Sequence, residues 1–250
     1  MNNIVLGREE VYKASSQVLS FVNTLYDIVD RTDLLLSNLL LSNLVSGFPF
    51  EFNGHHFTNS ECMYLCGEWS ENTEEHRLIQ DILMLQVNGY ACKRFVEAKY
   101  RKQIRQDFPT YWIQWMFFCV WQKCKGNANF RKLLLSTGDA ILVENTTTDR
   151  WDDTEVWGCH NYELAHRRLN IACVLLHRHH NMMKKAELRH LLYVETNKIN
   201  NIGEWRGQNN YGKILMICRD CLIQGIEPQI DYDLLRQSNI YLFGKKLSFE

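Results

Sequence analysis

Three prolines are all that this chain of 250 residues contains, too few for a proline-rich linker between folded parts. Long uninterrupted apolar runs are missing as well, and no basic start precedes an apolar stretch. That excludes a helical membrane span and predicts a soluble, cytoplasmic protein with no membrane partner. Charge of one sign is not in excess: 28 Lys and Arg stand against 29 Asp and Glu. Bulk electrostatics therefore favour neither nucleic acid nor an anionic surface, and a phosphate must be met by cations gathered locally. Cysteine is present but without a framework. Nine is an odd number, and the nine are scattered through helical patterns, as reduced thiols packed like small hydrophobes are. The one CxxC, Cys218 to Cys221, has no second pair and falls in an amphipathic helical stretch, so it reads as core rather than as a metal or redox site. No metal and no cofactor are expected.

With 46% hydrophobic residues, the chain can bury one substantial core. Residues Glu9 to Val29 space Val, Leu, Phe and Tyr as a helix does, predicting a helical extension over 1–37. In "FPFEFNGHHF" the phenylalanines alternate up to Asn53-Gly54, the strongest short hairpin signal, and a return strand runs through Phe57. Thr58 with Glu61 reads as a capping box that opens a helix to Trp69. Further helices are predicted from Glu75 to Val87, Gly89 to Arg105 and Tyr111 to Cys124, with Trp112, Trp115 and Trp121 on the core stripe and Gly126 as the stop. Asn127 caps a helix that ends at Gly138, and "AILVEN" is a short apolar strand. Between Trp157 and Asn200 a stretch rich in His, Arg and Lys carries an apolar stripe under its charges. It reads as an inserted helical hairpin over about 160–200 rather than a metal cluster or a nucleic-acid patch. The fold class is mainly α with a small β component, helices around a short hairpin and strand. The organisation is an extension over 1–37, a domain over 38–225 and a tail over 226–250 packed on it.

One stretch does not read as a connector. "RGQNNYGKIL", Arg206 to Leu215, places two asparagines between Gly207 and Gly212, and glycine allows close backbone approach while asparagine amides offer donors and acceptors. Together with four others it forms an ordered set: "LSNLVSGFPFEFNG" from Leu41, "TNSECMY" from Thr58, "FRKLLLSTGDAILVENT" from Phe130 and "WG" at Trp157-Gly158. Taken together the five resemble the NADAR family, with its YbiA-like fold. None of the motifs suffices alone; their order carries the resemblance.

The resemblance implies hydrolysis of an N-glycosidic bond, in an ADP-ribosylated or phosphoribosylated base or a NAD-derived nucleotide, with ADP-ribosylated guanine in nucleic acid among the partners. Breaking such a bond builds positive charge on the ribose, which a carboxylate stabilises. Glu61 and Glu144 match the family's acids. Each also has a bland reading, Glu61 as a helix cap and Glu144 as a charge at a strand end. Asp149 either holds a ribose hydroxyl or a water, or forms a turn. Trp157, with Gly158 behind it, is placed to stack on a base. Asn43, Asn209, Asn210 and Gly212 fall on motif positions expected to bind ligand. Lys93, Arg94 and Lys213 are candidates for the phosphates, Lys213 because it heads a helix, while Lys93 and Arg94 also fit a solvated face. The chain departs from the common pattern after Glu61: where many members carry His, Gln and then Lys, it has Cys62, Leu65 and Glu68. Bond cleavage through a lysine imine at that place is therefore closed to it. Two functions from different classes stay open, an N-glycosidase and a non-catalytic module that binds ADP-ribose or a NAD-derived nucleotide signal.

Overall fold

The segment expected to be a helix from Glu9 is two strands, β1 (Glu10–Lys13) and β2 (Val18–Val22). Their partners lie far downstream. β1 pairs antiparallel with β6 (Glu204–Gly207), Tyr12 opposite Trp205, and β2 pairs parallel with β5 (Ile141–Asn145), Phe21 opposite Glu144. A spacing of Val, Leu and Phe that fits a helical stripe also fits alternate residues of short strands, and long-range pairing decides between them. The computed structural model describes residues 4–22, 40–86, 88–147, 154–199 and 202–249. Within them the chain is mainly α with a small β component, its strands paired two by two.

Two compact units divide the chain. The first comprises Met1–Leu6, Asn23–Gly138 and Lys213–Glu250. Its hairpin is β3 (Phe50–Phe52) and β4 (His55–Phe57), turned at Asn53 and Gly54 with φ of 49° and 78°, the left-handed pair that an Asn-Gly turn supplies. Helix α1 (Ser60–Cys66) follows at once, then α2 (Glu74–Met84). The stretch predicted as one helix from Gly89 opens as Gly89–Ala91, widens to a π-helix over Cys92–Glu97 and ends in a 3₁₀ turn over Arg101–Gln103. Such widening has i→i+5 bonds but no signature in residue spacing that separates it from an α-helix.

The unit's longest helix, α3 (Phe108–Gly126), buries Trp115, Phe117, Cys119, Val120 and Trp121. Trp112 on the same helix is half-buried. The Trp115 indole donates to the Tyr64 carbonyl at 2.9 Å, and its ring lies where a Cβ on Gly67 would be, 2.1 Å away. Asn127 ends α3 and, as predicted, caps α4 (Ala128–Ser136) by accepting from Phe130 N–H. The tail is sewn into this unit by backbone contacts. Arg105 donates to the carbonyls of Ser238 and Asn239, and Gln80 donates to that of Tyr241 while accepting from Phe243 N–H.

The second unit comprises Gly7–Val22 and Asp139–Gly212. Tyr12, Val18, Val143, Cys159, Leu164 and Trp205 form its core. A short helix α5 (Thr154–Trp157) precedes the predicted helical hairpin, built of α6 (Tyr162–His179) and α7 (Lys185–Asn197). Helix α8 (Asn210–Gln224) begins at the Gly-Asn turn. Cys218 and Cys221 are buried along it, and no group of His, Cys, Asp or Glu fit for a metal occurs among the described residues. Among the same residues no helix is long and apolar enough to cross a membrane.

Candidate active site

In the first unit the site begins with the start of α1. Asn59, rather than Thr58, is its N-cap, its side-chain oxygen accepting from Cys62 N–H at 2.8 Å. The helix therefore starts one residue later than the capping-box reading had it and stops at Cys66, short of Trp69. With the cap supplied by Asn59, the Glu61 carboxylate is left for another partner. That partner is the side-chain amide of Asn43, which donates to it, while Glu61 N–H donates to the Asn43 carbonyl at 3.2 Å. Glu61 is 3% exposed, an acid in the interior rather than on a helix rim.

Thiols surround this acid. Cys62 and Cys92 both point at the Leu83 carbonyl, each at 3.6 Å. Hydrogen bonding between thiols and burial push both up, as burial does Cys119, and the negative charge of Glu61 adds to each. Raised in this way, the thiols stay neutral.

Sequence reasoning passed over a buried cation next to Ser60. Lys123 is fully buried on α3, its amine 3.3 Å from the Ser60 hydroxyl and 3.9 Å from the centre of the Phe130 ring. Burial lowers it to about 7. Its signal was its place: it is four residues past Cys119 and eight past Trp115, on a stripe that is otherwise apolar. Glu68, the acid at the family's lysine position, is buried too.

The cations expected to meet phosphate divide. Arg94 is exposed and donates to the Tyr90 hydroxyl at 3.0 Å, and Lys93 is half-buried in the π-helical segment. Lys213 is 1% exposed, and its amine donates to the Val5 carbonyl at 2.9 Å. A phosphate on Lys213 would have to displace that contact.

In the second unit the Gly-Asn turn holds a strand. Asn209, at a left-handed φ of 51°, accepts from Glu144 N–H at 3.0 Å with its side-chain oxygen and donates to the Leu142 carbonyl at 2.9 Å with its side-chain nitrogen. Its backbone N–H donates to the Gly158 carbonyl. Asn210 accepts from Gly7 N–H at 2.7 Å and donates to the Val156 carbonyl at 2.7 Å. Gly212 permits the closeness: a Cβ there would be 2.4 Å from the Leu142 oxygen. The amides expected to hold ribose are thus engaged by backbone: Asn209 fixes the main chain at Glu144, and Asn210 that at Gly7 and Val156.

Gly158 completes that corner. A Cβ on it would be 2.6 Å from the Glu144 oxygen, and the loop closes by Cys159 N–H donating to that same oxygen at 2.8 Å. Glu144 is 3% exposed at the end of β5, so it does not mark a surface. Trp157, just before, is half-buried. Asp149 lies outside the described residues. The structure thus brings Asn43 to Glu61 in one unit, and Glu144, Gly158, Asn209, Asn210 and Gly212 together in the other. An open cleft of about 490 Å³ in the second unit, lined by Lys13, His160, Tyr162, Glu163 and Arg206 among others, contains none of the predicted residues.

Residues 29–223 match the model of the NADAR domain. The chain belongs to the NADAR domain family. It is also similar to a protein of Nostoc punctiforme named N-glycosidase Npun_R5314, 40% identical over 58 residues, which are 23% of this chain and 34% of that protein. The match thus spans about a third of that relative's length. Among solved structures, the Escherichia coli protein YbiA is similar at a TM-score of 0.49 and 18% identity, over 85% of this chain and 93% of that one. Within this NADAR domain, the matched stretch covers Glu61, Glu144, Trp157 and Asn209 alike.

Proposed function

We propose that this NADAR protein is an N-glycosidase that hydrolyses the bond between a ribose and a heterocycle in an ADP-ribosylated or phosphoribosylated substrate. ADP-ribosylated guanine, free or in nucleic acid, is within that class. The observation that carries the reading is the buried Glu61 carboxylate, oriented by the Asn43 amide and not used as a helix cap. Family membership and the name of the Nostoc relative support it.

In the reaction a water oxygen bonds to the ribose C1′ as the bond from C1′ to the base nitrogen breaks. The bonding pair leaves with the base, which takes up a proton. Glu61 accepts the proton of the water and opposes the positive charge that builds on the ribose. Lys93 and Arg94 of the same unit are offered to the phosphates; taken by itself, the second unit offers Glu144 as the alternative acid and Trp157 to the base.

A second reading, a binding module without turnover, is favoured by Glu68. An acid stands where the family's lysine is found, and that acid is buried. Incubation with ADP-ribosyl-guanosine, NAD and cyclic ADP-ribose, followed by mass spectrometry, separates the two. Released base together with a ribose product heavier by one water supports the glycosidase. Ligand recovered intact from a complex with the protein supports the module.

A further inference from the structure

Three consecutive residues open α1 in the interior of the first unit: Asn59 caps the helix, Ser60 follows and Glu61 carries the carboxylate, none of them more than 3% exposed. Asn59 is engaged by its own helix, through Cys62 N–H, and the Glu61 carboxylate accepts from the Asn43 amide. Ser60 is met from a different element. Its hydroxyl lies 3.3 Å from the amine of Lys123 on α3, 63 residues downstream, and has no other polar partner among the described residues.

The amine itself has no counter-ion. It lies 3.9 Å from the centre of the Phe130 ring and 6.0 Å from that of Phe48. The titratable groups that face it are the thiols of Cys124, on its own helix, and Cys218 of α8, and no carboxylate pairs with it among the described residues. A lysine buried in this way destabilises the fold, since its charged form is kept out of water without an ion pair. Trp115 and Cys119, on the same stripe of α3, are fully buried, so an apolar side chain at 123 would suit its surroundings. What an apolar side chain lacks is a polar atom for Ser60. Groups held at such a cost gather at functional sites, where stability is given up for geometry.

We propose that Lys123 is a positioning residue for the Glu61 carboxylate: by holding the Ser60 hydroxyl it fixes the first turn of α1, and with it the direction in which the acid points. Lys123 touches no substrate in this role and takes no part in the bond-breaking step. The inference rests on the reading of Glu61 as the acid of a glycosidase, and one of its two measurements needs no turnover.

The full-length protein is compared with Lys123→Met, Ser60→Ala and the double variant. Deuterium uptake, followed by mass spectrometry on a peptide over residues 58–66, reports the first turn of α1 directly. In Lys123→Met that segment is expected to exchange about tenfold faster, while peptides of α3 and of the tail exchange as in the wild type and the melting temperature at pH 7 rises. Ser60→Ala gives the same local acceleration, and the double variant adds nothing, because the two side chains act as one unit. With ADP-ribosyl-guanosine, kcat falls about tenfold in each single variant and no further in the double, with KM within about twofold of the wild type.

The proposal is overturned if the 58–66 segment of Lys123→Met exchanges at the wild-type rate, or if its kcat is that of the wild type. It is equally overturned if exchange accelerates throughout the protein together with a lower melting temperature, which would make Lys123 a packing residue, or if the two single effects multiply in the double variant. A wild-type protein that releases no base refutes the glycosidase reading instead, and the exchange measurement then decides on Lys123 by itself.

Discussion

Asn209 clamps the strand that carries Glu144: one side-chain amide accepts from Glu144 N–H at 3.0 Å and donates to the Leu142 carbonyl at 2.9 Å. Both bonds are buried. Asn209→Ala orphans a backbone donor and a backbone acceptor and leaves alanine at a left-handed φ, which asparagine tolerates better. The expected loss is on the order of 3 kcal/mol, read as a lower urea midpoint at unchanged slope. A midpoint equal to that of the wild type would show that the clamp contributes nothing and return Asn209 to the ligand-binding role that its motif position implies.

Glu61→Gln separates catalysis from structure. Glutamine keeps the shape and can still accept from the Asn43 amide, but it neither takes up a proton nor opposes charge on a ribose. Turnover is expected to fall at least a hundredfold, about 3 kcal/mol in the barrier, while ligand affinity stays within a few-fold. Glu144→Gln, measured alongside, assigns the role. If Glu61→Gln turns over at the wild-type rate and Glu144→Gln does not, the carboxylate of the reaction is Glu144.

Lys123 makes stability depend on pH. Its native amine, lowered by burial to about 7 from an ordinary 10.5, stays neutral over a range in which the unfolded chain's lysine is already charged. As pH falls through that range only the unfolded state gains a proton, so native stability drops, by on the order of 5 kcal/mol over the whole window. Below about 7 both states are charged and the loss levels off. Lys123→Met, of similar shape and without the charge, is expected to raise the melting temperature at pH 7 and to flatten its rise between pH 7 and 9 relative to the wild type. A methionine variant that melts lower at pH 7 would show that the Ser60 and Phe130 contacts outweigh the cost of burial.

Trp157→Ala tests the base-stacking role. Trp157 is half-buried at the end of α5, so its loss should change stability less than the several kcal/mol of a fully buried tryptophan while weakening nucleotide binding about tenfold, the worth of a stacked ring. Calorimetry with ADP-ribose and a thermal melt distinguish the cases. A large drop in melting temperature with binding intact would make Trp157 a packing residue.

Local chemistry determined those parts of this protein whose signals lie within a few residues. Asn53 and Gly54 dictate their own turn through left-handed φ, Asn127 caps the helix that it opens, and the apolar stripe under the charges of 162–198 marks a helical hairpin without reference to anything outside it. The five ordered motifs likewise placed the chain in its family, since motif order is a property of sequence. Tertiary structure decided the rest because the partners are remote. Strands β1 and β2 read as helix until β6 and β5 supply their hydrogen bonds. Glu61 looks like a cap until Asn59 takes that place and Asn43 claims the carboxylate. That the Asn209 amide also clamps Leu142 and Glu144 shows only once β5 lies beside it. Lys123 carries no local sign of its burial, because burial is a property of the assembled core and no residue carries it alone.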